Sequence, residues 1–176
     1  MANREALREL QTRLAARLQA ARAEGLQASW LAVEAAGARY LFPLAQSGEI
    51  FPFAQPQPVP YTQPWFLGVA NLRGGLYGVV DLAGFASGRP PAARTEAGRA
   101  ESRLVALNAA LEVNCALLVD RLAGLRNLEA FASSSDPPEG SPPWFGSGYT
   151  DAGGARWQEI NLQALSQQPQ FLSISA

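Results

Sequence analysis

The chain has no histidine, and none of its fourteen basic residues is a lysine. Histidine is the commonest general base and transition-metal ligand, and lysine forms Schiff bases and completes phosphate-binding loops. Enzymes that depend on these side chains are excluded, and only chemistry based on Asp, Glu, Ser or Tyr remains open. We predict a protein without catalytic activity, metal or organic cofactor.

Cysteine, long apolar runs and excess charge are scarce as well. Cys115 is the only cysteine, which rules out a disulfide within the chain, and its setting in V-N-C-A-L-L-V is typical of a buried thiol. No stretch approaches 18 apolar residues, so we predict no membrane insertion, and the charged N-terminus does not resemble a signal peptide. The formal net charge is −1, which argues against binding to nucleic acid. A cytoplasmic protein is expected.

What the chain does have is apolar content: 48% of its 176 residues are hydrophobic. That is enough for one ordinary domain or two small halves that share a core. Residues 3–24 are predicted to form a helix with Leu7, Leu10, Leu14 and Leu18 on one face, because their spacings are 3, 4 and 4. This face either docks on a partner or packs on the protein's own domain.

After residue 28 the pattern changes to short strands separated by turns, which is typical of small β-barrels. The segments 87–101 and 132–143 are rich in turn residues and are interpreted as exposed loops. The predicted strands cover residues 30–33, 37–44, 48–53, 67–72, 76–82, 102–108, 111–120 and 122–128. A further hairpin, which runs into a short helical turn, is predicted over residues 149–162.

An internal repeat supports two related halves. Pro64-Trp65-Phe66 matches Pro143-Trp144-Phe145, and Val80-Asp81-Leu82 matches Ile160-Asn161-Leu162. Between these motifs each copy carries a double glycine, and the offset is about 79 residues. The shared features are interpreted as architecture: Gly74 and Gly75 form a tight turn with Arg73, and Asp81 caps a helical turn.

Features that only the first copy has are better candidates for function. Arg73 lies at the tip of its hairpin where the second copy has Ala152. Asn71 and Gly68 also differ from their counterparts. Arginine is favoured at protein interfaces because its planar fork makes several hydrogen bonds. The hairpin tip is therefore a candidate binding site, with an exposed turn arginine as the alternative.

At these residues the sequence resembles the CheW family of bacterial chemotaxis coupling proteins. The matching motif is F-L-G-V-A-N-L-R-G-G-L-Y-G-V-V-D-L, with Gly48-Glu49-Ile50 and Pro58-Val59-Pro60 upstream and A-L-L-V-D-R downstream. The resemblance implies a mainly β fold of two related five-stranded SH3-like barrels with an extra N-terminal α-helix. It divides the chain into residues 1–26 (helix), 27–166 (CheW-like domain, with half-barrels at about 27–88 and 102–166 and a possible exchange of strands) and 167–176 (tail).

The same resemblance implies a non-catalytic adaptor recruited to membrane-associated receptor arrays. Its partners would be the regulatory domain of a CheA-type histidine kinase and the cytoplasmic tip of a methyl-accepting chemoreceptor. The partner-binding positions that it implies are Glu49, Gly68, Asn71 and Arg73.

The extra helix and the motif P-W-F-L-G-V-A-N-L-R-G-G are similar to PilI-type proteins of type IV pilus (twitching motility) systems. Three alternatives remain open. The first is a coupling protein for flagellar chemotaxis, and the second is an SH3-like barrel that binds nucleic acid or a protein outside chemotaxis. The third is a hydrolase built on carboxylates, although Glu49, Asp81, Asp120 and Glu159 show no pairing in their spacing.

Overall fold

The computed structural model describes residues 2–27 and 29–176, and in the first helix it describes the side chains of residues 4–20. The strands are β1 (Trp30–Ala35), β2 (Ala38–Pro43), β3 (Ser47–Pro52), β4 (Phe66–Leu72), β5 (Gly75–Asp81), β6 (Arg103–Leu107), β7 (Cys115–Val119), β8 (Arg121–Arg126), β9 (Phe131–Ser135), β10 (Phe145–Asp151) and β11 (Arg156–Ile160). The helices are α1 (Ala2–Gln27), α2 (Leu82–Ser87), α3 (Glu96–Glu101), α4 (Leu162–Ser166) and α5 (Pro169–Leu172).

The strands form two sheets that share the chain in an interleaved way. One sheet has the order β8-β1-β2-β11-β10-β9, and the other has the order β3-β6-β7-β5-β4. The first hairpin therefore lies in the same sheet as the last four strands, while the middle of the chain builds the other sheet. Each sheet contains one parallel pair, β2 with β11 and β5 with β7. The expectation of a mainly β fold with an N-terminal helix is confirmed.

The two sheets are equivalent strand by strand, apart from one edge. In the six-stranded sheet β9 pairs with β10. At the equivalent edge of the five-stranded sheet, β4 is joined to the preceding segment by a single bridge, between its Val69 and Gln57. The surrounding segment contains Pro56, Pro58 and Pro60. Because proline lacks the amide proton that a ladder needs, a full sixth strand cannot form there.

The internal repeat predicted from the sequence is a repeat of contacts. Asp81 accepts a hydrogen bond from Gly84 N and caps α2, while Asn161 accepts from Ala164 N and caps α4. The backbone N–H of each cap donates to the carbonyl of a buried tryptophan, at 2.8 Å in both copies; these are Trp65 and Trp144. The predicted capping roles are confirmed.

The core lies in three layers. A central cluster between the sheets combines residues of both, including Phe42, Leu117 and Ile160. A second cluster fills the curled five-stranded sheet around Phe51 and Leu72. A third covers the outer face of the six-stranded sheet and includes Trp30, Leu41 and Trp157. The central cluster joins the two sheets by apolar burial, the main stabilising term in folding.

Three sequence predictions need correction. The segment 87–101 is not only an exposed loop, because it contains α3 and carries the half-buried Arg94. The segment 132–143 begins within strand β9. The strand predicted for 111–120 starts only at Cys115, since Asn108 caps a short 3₁₀ turn that ends at Leu111 and Glu112 takes a positive φ of 57°.

Over residues 4–20, whose side chains the structure describes, helix α1 does not pack on the rest of the protein. Leu7, Leu10, Leu14 and Leu18 are 52–62% exposed. Of the two interpretations left open by the sequence, packing on the protein's own domain is wrong. Within the described residues, no helix is long and apolar enough to cross a membrane.

Candidate functional site

The candidate site is built on the turn between β4 and β5. Arg73 and Gly74 are the two turn residues, with φ values of 50° and 82°. Two consecutive positive φ values define the type I′ turn that matches the twist of a two-residue hairpin. Gly75, predicted as part of the turn, is instead the first residue of β5. Glycine takes a positive φ without cost, whereas an arginine there is uncommon.

Asn71 holds the turn through a side-chain hydrogen bond. Its Oδ1 accepts a hydrogen bond from Gly74 N at 3.0 Å. The side chain thereby satisfies a turn amide and fixes the tip of the hairpin. Asn71 thus has a structural task at the position where the sequence predicts partner binding.

The turn presents Arg73 to Glu49 of β3. Arg73 Nη1 lies 2.6 Å from Glu49 Oε1, with side-chain exposures of 78% and 42%. β3 and the β4–β5 hairpin lie at opposite edges of the five-stranded sheet, so the contact closes the curl of the sheet. Tyr77 of β5 meets Phe51 of β3 in the same closure, with ring centroids 5.8 Å apart.

The ion pair lies on an exposed surface that also carries apolar side chains. Leu76, opposite Asn71 in the hairpin register, is 63% exposed, and Ile50, next to Glu49, is 39% exposed. We call Glu49, Ile50, Arg73 and Leu76 the hairpin surface. A solvated ion pair contributes about 0–1 kcal/mol to stability, so folding alone gives little reason for an arginine in this turn. Arginine beside exposed apolar side chains is typical of an interface.

Gly68 lies on β4 at a point where the backbone of another segment approaches closely. Its φ is 129°, and a Cβ at this position would lie 2.0 Å from the carbonyl oxygen of Gln57. The two backbone bonds between Gln57 and Val69, at 2.7 and 2.9 Å, hold that segment against β4. Gly68 is therefore required by the fold itself.

Sequence reasoning missed Arg94, which joins two carboxylates at the ends of neighbouring parallel strands. Its Nη2 donates to Asp81 Oδ1 at 2.7 Å, and its Nε donates to Asp120 Oδ1 at 2.9 Å. Asp81 is 2% exposed, so the pair is almost fully desolvated on that side. The arginine belongs to a proline- and alanine-rich segment, where no sequence signal indicates a buried contact.

The arrangement of these carboxylates is structural. The second oxygen of Asp81 accepts from Gly84 N, and that of Asp120 accepts from Ala36 N. All four oxygens are thus held by protein donors, although a cleft of about 530 Å³ opens beside them. Glu49 and Glu159 lie elsewhere, on Arg73 and Trp30 respectively. The carboxylates that a hydrolase would need are occupied as acceptors.

Two further groups have shifted pKa values with clear causes. Burial raises the pKa of the Cys115 thiol to about 12. The hydrogen bond from the Trp157 indole lowers the pKa of Asp151, helped by the Ala155 and Gly153 amides. Asp151 organises the hairpin turn of the second repeat, as Asn71 does in the first. Burial thus keeps the Cys115 thiol protonated and inaccessible to reagents.

The structure defines a protein of two related sheets with an exposed hairpin, and this fold is known. The crystal structure of the scaffolding protein TtCheW from Thermoanaerobacter tengcongensis is similar, with a TM-score of 0.61 and 16% identity over 76% of this chain and 88% of that chain. Fifteen chains of solved structures match in all. No curated protein sequence matches this chain.

A model of the CheW-like domain matches residues 29–170. The chain therefore belongs to the CheW family, as the sequence resemblance indicated. Proteins of this family are non-catalytic scaffolds of chemotaxis signalling. The match begins after α1, so the N-terminal helix lies outside the family domain.

Of the four residues expected to bind partners, the structure brings two together. Arg73 and Glu49 form one exposed surface. Asn71 is exposed and supports that surface by holding the hairpin turn, and Gly68 lies buried against Gln57.

Proposed function

We propose that this protein is an adaptor that couples a CheA-type histidine kinase to the cytoplasmic tips of methyl-accepting chemoreceptors. It acts by fixing the geometry of its partners and makes no covalent change in them. The hairpin surface is the contact for one of these partners. The regulatory domain of the kinase and the helical receptor tip are the two candidates for it.

One observation carries this proposal. Arg73 occupies a positive-φ turn position where glycine is cheaper, and its guanidinium reaches across the sheet edges to Glu49. The pair adds little stability where it is exposed. A partner that buries the pair beside Leu76 and Ile50 would gain desolvated charge-assisted contacts next to apolar area, which is how interface hot spots are built.

We assign the protein to a chemosensory array that controls type IV pilus twitching motility. The assignment rests on the extra N-terminal helix and on the motif around Arg73, both similar to PilI-type proteins. A flagellar chemotaxis array is the alternative. Deletion of the gene separates the two, because loss of twitching with intact swimming supports the pilus array and the reverse supports the flagellar one.

The proposed coupling is tested by capturing a CheA-type kinase and a receptor tip fragment with the purified protein. Wild type is compared with Arg73→Ala and with a variant that lacks residues 1–25. We expect wild type to retain both partners and Arg73→Ala to lose about 2 kcal/mol of binding energy towards one of them. Arg156→Ala, an exposed arginine at the start of β11, is the matched control for loss of positive charge.

Failure of the folded wild-type protein to bind either partner would contradict the coupling function. Equal binding by wild type and Arg73→Ala to both partners would remove the hairpin surface from the site while leaving the coupling function in place.

A further inference from the structure

Helix α1 presents an apolar stripe that the rest of the chain does not cover. Leu7, Leu10, Leu14 and Leu18 are each more than half exposed, and they are four of the eleven large apolar side chains that are exposed in the described part of the chain. On a helix with about 100° per residue they fall within about 80° of each other. Single exposed leucines scattered over a surface are ordinary, whereas a contiguous leucine stripe of this kind marks an interaction surface.

The charges around the stripe are arranged by sign. Arg4 and Arg17 lie on its two borders, each about 70° from its centre at 100° per residue. Glu5 and Glu9 lie on the opposite side of the helix, about 145–175° away by the same geometry. Over its whole length the helix has five arginines and three glutamates. Over residues 4–20, whose side chains the structure describes, the apolar stripe is therefore bordered by positive charge.

We propose that α1 docks, through its leucine stripe, on an amphipathic helix or helical groove of another protein whose apolar surface is bordered by carboxylates. Leucines would fill the apolar surface in the manner of a helix laid into a groove. Arg4 and Arg17 would meet carboxylates along the rims. The site lies outside residues 29–170, so it is separate from the contacts proposed for the CheW-like domain.

The same charges decide against the other occupants. A second copy of α1 would present arginines, and not carboxylates, at the borders of its own leucine stripe. Like charges across a helix pair are destabilising. Partition into an anionic lipid surface would use the arginines well, yet four leucines on a helix with a wide alanine and glutamate face offer little apolar area for it.

The test uses the full-length protein and two labelled synthetic helices of about 20 residues, long enough to be helical when bound. Both probes carry leucines at spacings of 3, 4 and 4; one has glutamates and the other lysines at the stripe borders. We expect the glutamate probe to bind about 10-fold more tightly, as fluorescence anisotropy measures, because attraction replaces repulsion at both borders. Leu10→Gln/Leu14→Gln should abolish binding of both probes.

A matched pair of charge reversals locates the contact. Arg17→Glu should lower the affinity for the glutamate probe about 5-fold and raise that for the lysine probe, because one border contact changes sign. Arg8→Glu makes the same charge change about 115° from the stripe centre and should leave both affinities unchanged. Equal affinity of the two probes, or equal effects of the two reversals, overturns the proposal.

Two further measurements identify the occupant. A photo-crosslinking residue at Gln11, on the stripe border, should crosslink in cells to a segment with an acid-bordered apolar stripe, whereas the same residue at Thr12 on the opposite side should not. Crosslinks to a second copy, or a dimer in sedimentation that Leu10→Gln/Leu14→Gln abolishes, would show self-association and overturn the proposal. Binding to phosphatidylglycerol vesicles without binding to the glutamate probe would overturn it in favour of a lipid surface.

Discussion

Arg94 holds Asp81 in a nearly dry contact, with Nη2 and Oδ1 2.7 Å apart and only 2% of Asp81 exposed. The arginine comes from the segment that joins the two repeats, and Asp81 ends β5. The contact therefore attaches the connection to the five-stranded sheet, and the second contact with Asp120 attaches it to the end of β7.

Replacement of Arg94 should destabilise the protein. Arg94→Met leaves a buried carboxylate without its positive partner, which costs about 3 kcal/mol. Urea unfolding followed by tryptophan fluorescence measures the loss. Arg99→Met, an exposed arginine of the same segment, is the control and should change stability by less than about 0.5 kcal/mol. Equal effects of the two substitutions would show that the ion pair adds no net stability.

Arg73 should be replaceable without loss of the fold. Arg73→Gly removes an exposed ion pair worth up to about 1 kcal/mol but relieves a positive φ that costs an L-residue about as much. The free energy of unfolding should stay the same or rise slightly, while Arg73→Ala keeps the strain and should lower it slightly. A loss above about 2 kcal/mol in Arg73→Gly would mean that the arginine is there for stability and not for a partner.

Gly68, unlike Arg73, should not be replaceable without a large loss of stability. In Gly68→Ala the new Cβ would collide with the Gln57 carbonyl. Either the segment at Gln57 then leaves β4, or the whole protein becomes less stable. The expected cost is about 3 kcal/mol or more, measured by thermal unfolding with hydrogen exchange at Val69. Gly74→Ala has a positive φ but open space around it, and its cost should stay near about 1 kcal/mol. A Gly68→Ala protein as stable as Gly74→Ala would contradict the close approach.

Phe171 of the C-terminal tail should stabilise the core. Phe171 is 3% exposed and lies against Phe85 and Trp65, with centroid distances of 5.4 and 6.4 Å. Phe171→Ala should cost about 3–5 kcal/mol, because it leaves a cavity between aromatic rings. Leu172→Ala removes a neighbouring side chain that is 55% exposed and should have little effect on the melting temperature. Similar melting temperatures for the two variants would show that Phe171 does not support the core.

Cys115 should be unreactive in the native protein. Because burial raises the pKa of its thiol to about 12, almost no thiolate exists at pH 8, and a disulfide reagent should label it only in guanidinium. The unfolded thiol ionises near pH 8.5. The stability that the buried, protonated thiol contributes is therefore fully present below about pH 8.5. It decreases as the pH rises from there towards 12, because over this range only the unfolded state loses the proton. Rapid labelling in buffer would contradict this, and Cys115→Ser provides the blank.

The strands with the strongest local signals were predicted correctly. Trp30–Ala35 and Ala38–Pro43 are short, mainly apolar runs on either side of Ala36-Gly37, and both turn residues have positive φ. The sequence repeat that contains Trp65 and Trp144 also predicted the two matching helix caps, because each cap joins residues that are close in sequence. Such features depend on local geometry, which periodicity and turn residues report directly.

Features that depend on distant contacts were not predictable. β9 is poor in apolar residues and forms because β10 offers it an edge. The pairing of Arg73 with Glu49 depends on the curl of a five-stranded sheet, which brings its two edge strands together. Arg94 meets its two carboxylates only once β5 and β7 lie side by side. In each case the partner is chosen by the assembled sheet and leaves no periodic signal in the sequence.

The interleaved strand order determines when each sheet can be completed while the chain is being synthesised. The five-stranded sheet can be completed once β7 has left the ribosome, but the hairpin of β1 and β2 must wait for β11, whose Gln158 pairs with Tyr40. During that wait Leu41, which is fully buried in the finished protein in the cluster that contains Trp157 of β11, lacks part of its cover. Long-range pairing of this kind slows folding and exposes the chain to aggregation. We expect the cell to shield this first hairpin until the last strand is made.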